Sequence, residues 1–346
     1  MIYTTQLETG FSKKPMSLES DDKFLWPYYE RYPIFLELLN SRRLERLRKI
    51  RFLGAIEYFQ NALGSHRSSA GSRYDHTLSV TRLAVKLAEL VGLSEKDFVV
   101  YVTYAILHDV GHGPFSHSSE NFFRTRFYMN HQRVLMALLS TDSEIQSILK
   151  RHGILTDLQA ILLENLNKGT RLDFLIKCPL NVDTIDGICR AAKYFGLQLE
   201  FTESEVLQFV AHPKENSILF GDEFWRLKSR VYNDYIYSGE LVILDRLIDA
   251  VLVAANGIPQ DFLLDDNQFE EKYGRHFEAL ITYFQNYKLP RLNGTERHFQ
   301  IRSNTMPQEL SDLCFRYFEC REGRHEYGAG DSRKASKFYR SEAVAA

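Results

Sequence analysis

The segment DFVVYVTYAIL, residues 97–107, restricts the fold strongly because its apolar and aromatic side chains cover nearly every face of a helix. A helix of this composition is stable only when other elements bury it. It leads directly into HDVGHGPFSH (108–117), in which Gly111, Gly113 and Pro114 end the helix. The sequence therefore predicts a central buried helix whose inner end carries polar residues, and burial of those residues requires a compensating partner.

Helical periodicity on both sides of this segment predicts an all-α fold. In SRRLERLRKIRFLGAIEYF (41–59) apolar residues recur at three-residue steps, and a loop rich in Gly and Ser follows at 62–72. A strong helix is predicted at about 75–91, with Gly92 as its end. Further helices are predicted at 117–127, 131–140, 143–151, 155–167, 182–195, 217–237, 239–255 and 267–288, and candidate short strands at 218–220 and 299–301.

Three regions are predicted along the chain. Residues 1–32 form an N-terminal arm whose first part is polar and without clear period, and residues 33–256 form the main helical domain. Residues 257–346 form a C-terminal extension that is mostly helical and less regular, and it is a candidate for oligomerisation. Its tail, from Arg321, is rich in Gly and charge and is predicted to be partly disordered.

Composition excludes several classes of protein. Among 346 residues, 43 Lys and Arg oppose 45 Asp and Glu, so the whole molecule is not a basic nucleic-acid binder. The four cysteines form no CxxC pair, which argues against a zinc ribbon or a redox motif. No apolar run approaches the roughly 20 residues of a membrane span. The N-terminus lacks the pattern of a secretion signal, so a cytoplasmic protein is expected.

The pair His108-Asp109 offers the two ligand types, imidazole nitrogen and carboxylate oxygen, that hydrolytic metal ions favour. The alternative is a hydrogen-bonded helix C-terminus, at which a histidine interacts with the helix dipole. Two further segments favour the metal, namely SRYDH (72–76), about one helix pair upstream, and NVDTID (181–186), at a later helix start. The two histidines that follow in the glycine turn add to the same interpretation.

Together, RYDH, HDVGHGPFSH and VDTID resemble the HD-domain superfamily. The similarity is greatest to its deoxynucleoside triphosphate triphosphohydrolase branch, which includes bacterial dGTPases and the sterile-alpha-motif HD protein. The resemblance covers about residues 43–250 and implies a helical core around a metal cleft. It implies that the metal ligands are His76, His108, Asp109 and Asp183, with Asp186 as the alternative to Asp183. The divalent metal is expected to be Mn, Fe, Zn, Co, Ni or Mg.

The resemblance also implies roles in catalysis and substrate binding. His112, His117 and His131 are expected to line the phosphate-cleavage site. Glu120 stands where the family often has an aspartate that pairs with a histidine. For substrate binding, the resemblance implies phosphate contacts from Arg73 and Arg226 and a sugar contact from Tyr235.

The sequence departs from the family pattern at three positions. Thr184 replaces the basic residue that follows the metal aspartate and touches phosphate. Phe52 replaces a glutamine that reads the deoxyribose, and Gln132 replaces a glutamate after the third histidine. Since phenylalanine cannot hydrogen-bond to a sugar hydroxyl, these departures favour a phosphohydrolase whose substrate need not be a standard dNTP.

The expected function is a metal-dependent phosphohydrolase that converts a dNTP to deoxynucleoside and triphosphate through a metal-activated water. One alternative is an HD phosphatase, or a phosphodiesterase or nuclease, acting on another nucleotide or nucleic acid. Another is a non-catalytic, metal-binding regulatory scaffold. The basic run RRLERLRKIR (42–51) is interpreted as the solvated face of an amphipathic helix, so nucleic acid is not the favoured partner. The expected partners are a nucleotide and further copies of the chain.

Overall fold

The computed structural model describes residues 20–64, 68–163, 170–178, 180–212, 218–237 and 239–286. Within these ranges the protein is all-α, as predicted, and its one β-type contact is an isolated antiparallel bridge between Arg51 and Ser72. The helices of the first half are α1 (Ser20–Arg31), α2 (Pro33–Leu39), α3 (Arg42–Arg46), α4 (Ala55–Ala62), α5 (Arg73–Val91), α6 (Glu95–Leu107), α7 (His117–Phe127), α8 (His131–Thr141) and α9 (Ser143–Arg151). Those of the second half are α10 (Leu155–Leu162), α11 (Arg171–Lys177), α12 (Val182–Tyr194), α13 (Glu203–Ala211), α14 (Ile218–Arg230), α15 (Leu241–Ala254) and α16 (Asp266–Asn286).

Helix α6 is the buried centre that its composition predicts. It packs against α5, α2, α10 and α11, and Val102, Ile106 and Leu107 are fully or almost fully buried. Its first turn is capped by the side chain of Ser94, which accepts a hydrogen bond from the backbone N–H of Asp97. The apolar helix therefore delivers its C-terminal end, with the His-Asp pair, into the interior.

The helical pattern at 41–59 is interrupted in the structure. Helix α3 is followed by a single 3-10 turn at Leu47–Lys49, and α4 begins only after Gly54. Gly54 has φ of 55°, and a Cβ on it would lie 2.1 Å from the backbone oxygen of Phe115. The chain breaks here because it passes directly against the turn after α6, an approach that only glycine permits.

Other predictions had mixed outcomes. Helices α7 and α9 have the predicted bounds, and the other predicted helices are present with ends shifted by a few residues where they are described. The strand alternative at 218–220 is wrong, since these residues begin helix α14. The alternative at 299–301 and the tail from Arg321 lie outside the described residues.

The N-terminal arm contains a helix that the sequence analysis did not identify. Helix α1 packs on α2 and α5, with Leu25 fully buried and Tyr29 nearly so. At the other end, a 3-10 turn (Pro259–Leu263) and α16 bury Phe262, Phe269 and Phe277 in the same core. The three-region division of the chain stays a prediction. None of the described helices has the length and apolar character needed to traverse a bilayer.

Candidate metal centre and adjoining cleft

The ends of three helices bring the predicted metal ligands together. His76 lies in the first full turn of α5, which starts at a capping box formed by Ser72 with Asp75. His108 and Asp109 follow the last residue of α6, and Asp183 lies in the first turn of α12. Each ligand is thus held near a helix terminus whose position the surrounding core determines.

The ligand atoms of His76, His108 and Asp183 lie within 4.8 Å of one another, and the carboxylate of Asp109 lies beside both imidazoles. His76 Nε2 lies 3.1 Å from Asp183 Oδ1, 3.3 Å from His108 Nε2 and 3.5 Å from Asp109 Oδ2. His108 Nε2 lies 3.4 Å from Asp109 Oδ1 and 3.7 Å from Asp183 Oδ1. Ligands about 2.0–2.2 Å from a shared ion would be roughly 3.0–3.5 Å from one another, so this spacing suits a divalent metal.

Hydrogen bonds on the far side of each imidazole assign its proton. His108 Nδ1 donates to the carbonyl oxygen of Ala105 at 2.6 Å, and His76 Nδ1 donates to Asp186 Oδ2 at 2.6 Å. Because these partners are acceptors, each Nδ1 carries a proton, and each Nε2 points toward the other ligands. The two Nε2 atoms face one another and the two carboxylates, and a metal bound there would take up the lone pair that each Nε2 presents once its proton is displaced.

The electrostatics of the centre favour positive charge. Burial lowers the pKa of His108, but the charges of Asp109 and Asp183 outweigh it and raise that pKa to about 9. Burial likewise opposes ionisation of Asp109, yet His108, His112 and Arg73 hold its pKa well below the usual range. His108 and His76 likewise hold the pKa of Asp183 well below its usual range, so both carboxylates are ionised at neutral pH and attract either a proton on His108 or the metal ion that would displace it.

Asp186, the alternative to Asp183, lies behind His76. Its Oδ2 accepts from His76 Nδ1 and also from Arg190 Nε at 2.9 Å. Arg190 in turn donates to the backbone oxygen of Ala70. Asp186 thus orients the imidazole, whereas the side chain of Asp183 faces the other ligands.

The predicted catalytic residues form a second group beside the first. Glu120 Oε1 accepts from His131 Nδ1 at 2.5 Å, and Glu120 Oε2 lies 3.3 Å from His117 Nδ1. The ring of His112 stacks on that of His131 with 4.3 Å between centroids. His112 Nε2 lies 3.1 Å from Asp109 Oδ1, so His112 connects the two groups.

These residues differ in exposure and in charge. His112 is fully buried, and burial together with Arg73 holds its pKa well below the usual range. Burial raises the pKa of Glu120, but His117 and His131 outweigh this and hold it well below normal. Burial lowers the pKa of His131, but Glu120 more than compensates and raises it. The side chain of His117 is 62% exposed and reaches toward solvent.

Arg73 is held rigidly between the two groups and the neighbouring turn. Its Nη1 donates to Asp109 Oδ2 at 2.7 Å and its Nε to Ser116 Oγ at 2.9 Å. The guanidinium lies over the ring of Phe52, 4.7 Å from the centroid. Only 4% of the side chain is exposed, so any substrate contact would use the face that borders the cleft.

A cleft of about 740 Å³ opens beside Asp183 and His117. Its wall includes cations and tyrosines that the sequence analysis did not select, namely Arg124, Lys228, Arg246, Tyr232 and Tyr237. Two selected residues do not line it: Tyr235 stacks on Phe195 at 4.6 Å, and Arg226 pairs with Glu223 at the surface. Tyr235 lies in a π-helix at Val231–Ile236, whereas Arg226 lies before it in α14.

Two of the three positions that depart from the family pattern also border the cleft. Phe52 and Thr184 line it, and the ring of Phe52 lies 4.9 Å from that of His76. Phe52 thus presents an apolar surface beside the candidate metal. Gln132 is exposed on α8.

The basic run at 42–51 is largely neutralised by local partners rather than arranged as a groove. Its arginines contact Glu144 (from Arg42), Asp142 (from Arg43), backbone carbonyls (from Arg46), Glu45 (from Arg48) and Asp266 (from Arg51). Lys49 lies 3.8 Å from Asp265. A run whose charges are engaged in this way offers little to a phosphate backbone.

Comparison with known proteins gives one family match and several distant relatives. Residues 73–179 match the model of the HD domain. YwfO of Bacillus subtilis, an uncharacterized protein by name, is 26% identical over 224 residues, which cover 63% of this chain and 46% of that protein. Deoxynucleoside triphosphate triphosphohydrolase SAMHD1 of Bos taurus is 24% identical over 220 residues, 53% of this chain and 36% of that protein.

The human SAMHD1 is 26% identical over 144 residues, which cover 38% of this chain and 22% of that protein. The chain therefore spans less than half the length of each of these curated relatives. The match to the HD domain contains His76, His108, Asp109 and the second group of residues, whereas Asp183 follows it by a few positions.

Proposed function

This chain is an HD-domain protein that resembles the SAMHD1 branch, and from that premise we propose that it is a metal-dependent phosphohydrolase of nucleotides. The proposed reaction converts a dNTP to deoxynucleoside and triphosphate. The observation that carries the proposal is the close approach of the Nε2 atoms of His76 and His108 to each other and to the carboxylate of Asp183, at the edge of an open cleft.

His76, His108, Asp109 and Asp183 would hold the divalent ion. Their nitrogen and oxygen atoms suit Mn, Fe, Zn, Co or Ni, and their number leaves positions for water and phosphate. Such an ion supplies Lewis-acid polarisation of the phosphate and acidifies water. The chain itself contributes the orientation of both imidazoles, through Ala105 and Asp186.

The second group is proposed to handle the proton of the leaving group. Glu120 holds the proton on His131 Nδ1 and raises the pKa of that residue, so His131 is an effective proton donor near neutral pH. His117 is exposed to the cleft and paired with the same carboxylate, and it is a second donor. Buried His112 separates them from Asp109 and maintains their spacing.

The cleft wall carries cations that suit a phosphate, and as many carboxylates. Arg73, Arg124, Lys228 and Arg246 line it together with Glu120, Asp183, Asp245 and Asp249. Guanidinium groups bind phosphate oxygens in bidentate fashion, so we assign phosphate binding to the arginines. The cleft volume of about 740 Å³ falls within the usual range for small-molecule sites, roughly 300–1,000 Å³. We propose that Tyr232 and Tyr237, rather than Tyr235, contact the nucleoside.

The experiment that tests the proposal measures bound metal and then product release across a panel of ribo- and deoxyribonucleotides, with triphosphate distinguished from phosphate. Triphosphate release from dNTPs supports the proposed reaction, and phosphate release from another nucleotide supports an HD phosphatase. Metal without any turnover supports a regulatory scaffold. Phe52 lines the cleft and offers no hydrogen bond to a sugar hydroxyl. We therefore expect the protein to discriminate less between ribonucleotides and dNTPs than an enzyme that hydrogen-bonds to the sugar.

Substitution of Asp186 by asparagine is expected to weaken metal binding by roughly 10- to 100-fold without abolishing turnover at saturating metal. The amide oxygen can still accept from His76 Nδ1, but the charge that makes the imidazole a strong ligand is lost. Metal titration of wild type and variant measures the effect. The matched control is Asp183→Asn, which is expected to lose activity that added metal does not restore, and equal behaviour of the two variants would contradict the separate roles.

Substitution of Glu120 by glutamine is expected to lower turnover by roughly 100-fold while metal content is retained. Since Glu120 raises the pKa of His131, its removal lowers that pKa. Activity that needs protonated His131 is lost as pH rises through this pKa, so the alkaline limb of the pH–rate profile should move to lower pH. Glu223→Gln, which removes a surface carboxylate paired with Arg226, is the control. An unchanged profile in Glu120→Gln would rule out the proposed proton donor.

A cytoplasmic location and assembly into a homo-oligomer are further parts of the proposal, and nucleic acid is not a favoured partner because the basic run is locally paired. Size measurement at the concentrations used for activity tests the assembly.

A further inference from the structure

The turn after α6 contains two non-glycine residues in an unfavourable backbone conformation. Phe115 and Ser116 both have φ of 55°, in the left-handed region that L residues with a Cβ seldom adopt. Such residues persist where surrounding contacts hold them. The turn lies between His112 and His117, so its shape determines where the second group of site residues begins.

A carboxylate from α16 provides one of those contacts. Asp266 is fully buried, and its Oδ1 accepts from the backbone N–H of Phe115 at 2.6 Å. Its Oδ2 accepts from the backbone N–H of Arg51 at 2.9 Å and from Arg51 Nη1 at 3.1 Å. Burial raises the pKa of Asp266 to about 6. Keeping this buried carboxylate ionised at neutral pH therefore costs folding free energy.

A continuous set of buried and partly buried hydrogen bonds leads from this carboxylate to the candidate metal centre. Ser116 Oγ donates to the backbone oxygen of Arg51 at 2.6 Å and accepts from Arg73 Nε at 2.9 Å. Arg73 Nη1 then donates to Asp109 Oδ2 at 2.7 Å. Side-chain exposure is 4% for both Arg73 and Asp109, so water does not compete strongly for these bonds.

The chain segment before α16 contacts the same turn independently. Arg46 donates to the backbone oxygens of Leu264 at 2.9 Å and His112 at 2.5 Å. A Cβ on Gly113 would lie 2.8 Å from the ring of Phe262, so the two segments are in close contact there as well. The residues around 262–266 therefore support the turn at several points.

We propose that Asp266 is a positioning residue for the active site: it holds the Phe115–Ser116 turn and thereby sets the place of the Arg73 guanidinium beside Asp109. The inference rests on the proposed function in assigning Arg73 to substrate phosphate. It extends the functional unit into α16, which lies beyond the matched HD domain and within the predicted C-terminal extension.

The test compares Asp266→Asn with Asp265→Asn. Both remove one buried carboxylate from the start of α16, but Asp265 accepts from the backbone N–H of Gln268 at 2.9 Å and lies 3.8 Å from Lys49. Neither Gln268 nor Lys49 belongs to the turn. Asparagine has nearly the shape of aspartate, so both variants are expected to fold, and thermal unfolding checks this.

The first measurement is amide hydrogen exchange in peptides covering 113–118. Exchange is expected to quicken by about tenfold in Asp266→Asn and to stay near the wild-type rate in Asp265→Asn. This readout needs neither metal nor substrate. Equal exchange in the two variants would overturn the proposal whatever the enzyme's substrate is.

The second measurement is affinity for inorganic triphosphate and KM for dNTP. Both are expected to weaken by about tenfold in Asp266→Asn, with metal content unchanged. If Asp266 acts through Arg73, adding Asp266→Asn to Arg73→Ala produces no further loss, whereas multiplying effects would show that Arg73 is not the route. If the wild type neither binds triphosphate nor hydrolyses any nucleotide, the proposed function fails while hydrogen exchange still decides the role of Asp266 in the turn.

Discussion

Alanine at Asp183 is expected to abolish metal binding and to reduce hydrolysis by at least about a thousandfold, with little loss of folding stability. Asp183 Oδ1 lies 3.1 Å from His76 Nε2, yet half of the side chain, 52%, is exposed on the cleft side. Its removal therefore takes away a ligand without opening a cavity in the core. Metal content after purification and turnover on the active nucleotide measure the two effects.

The control for this variant is Asp234→Ala, which removes an exposed carboxylate from the nearby π-helix. It is expected to retain wild-type metal content and turnover. Full metal occupancy and normal hydrolysis in Asp183→Ala would show that the centre, as assigned, is wrong.

Alanine at Asp109 is expected to remove both metal and activity and, unlike Asp183→Ala, to destabilise the fold by about 3–5 kcal/mol. Asp109 is 3% exposed and accepts from Arg73 Nη1 at 2.7 Å. Without the carboxylate, the buried guanidinium has no countercharge from that side. Urea unfolding in the presence of a chelator measures the loss, since bound metal would otherwise add to the stability of the wild type.

A double variant tests whether the unpaired charge is the cause. Arg73→Ala combined with Asp109→Ala is expected to be more stable than the sum of the two single losses implies, because it removes both partners of the pair. His108→Ala serves as a comparison that removes a ligand but leaves this ion pair in place. If the losses in free energy of unfolding are strictly additive in the double variant, the Arg73–Asp109 ion pair contributes little to stability. The destabilisation of Asp109→Ala would then have another cause.

Local signals were sufficient for most of the helices. Ser94 with Asp97 is a cap that can be recognised from sequence, and it begins α6 in the structure. The capping box of Ser72 with Asp75 was missed, since the helix was predicted to begin at about residue 75. The apolar composition of α6 required a buried position, and the structure places it there. Helix α1 was missed because its buried residues Leu25 and Tyr29 follow a polar stretch in which no period is evident.

The candidate site could be predicted where its residues are close together in sequence, but not where tertiary packing determines which side chains face the cleft. The pairs His108-Asp109 and His117–Glu120 are close in sequence, and the resemblance to a known family connected them with His76 and Asp183. The cleft wall was different, because Tyr235 was selected through the resemblance and not from a local pattern. Tyr232 and Tyr237 line the cleft instead, and Tyr235 stacks on Phe195.

The sequence by itself determined that the chain is helical, that one apolar helix is central, and which residue types are able to bind a metal. These properties follow from side-chain polarity and spacing along a single segment. Only the tertiary structure decided that Asp183 faces the imidazoles while Asp186 stands behind His76, and that Asp266, far along the chain, touches the turn at Phe115. Such contacts join segments more than a hundred residues apart, and no local pattern encodes the distance between them.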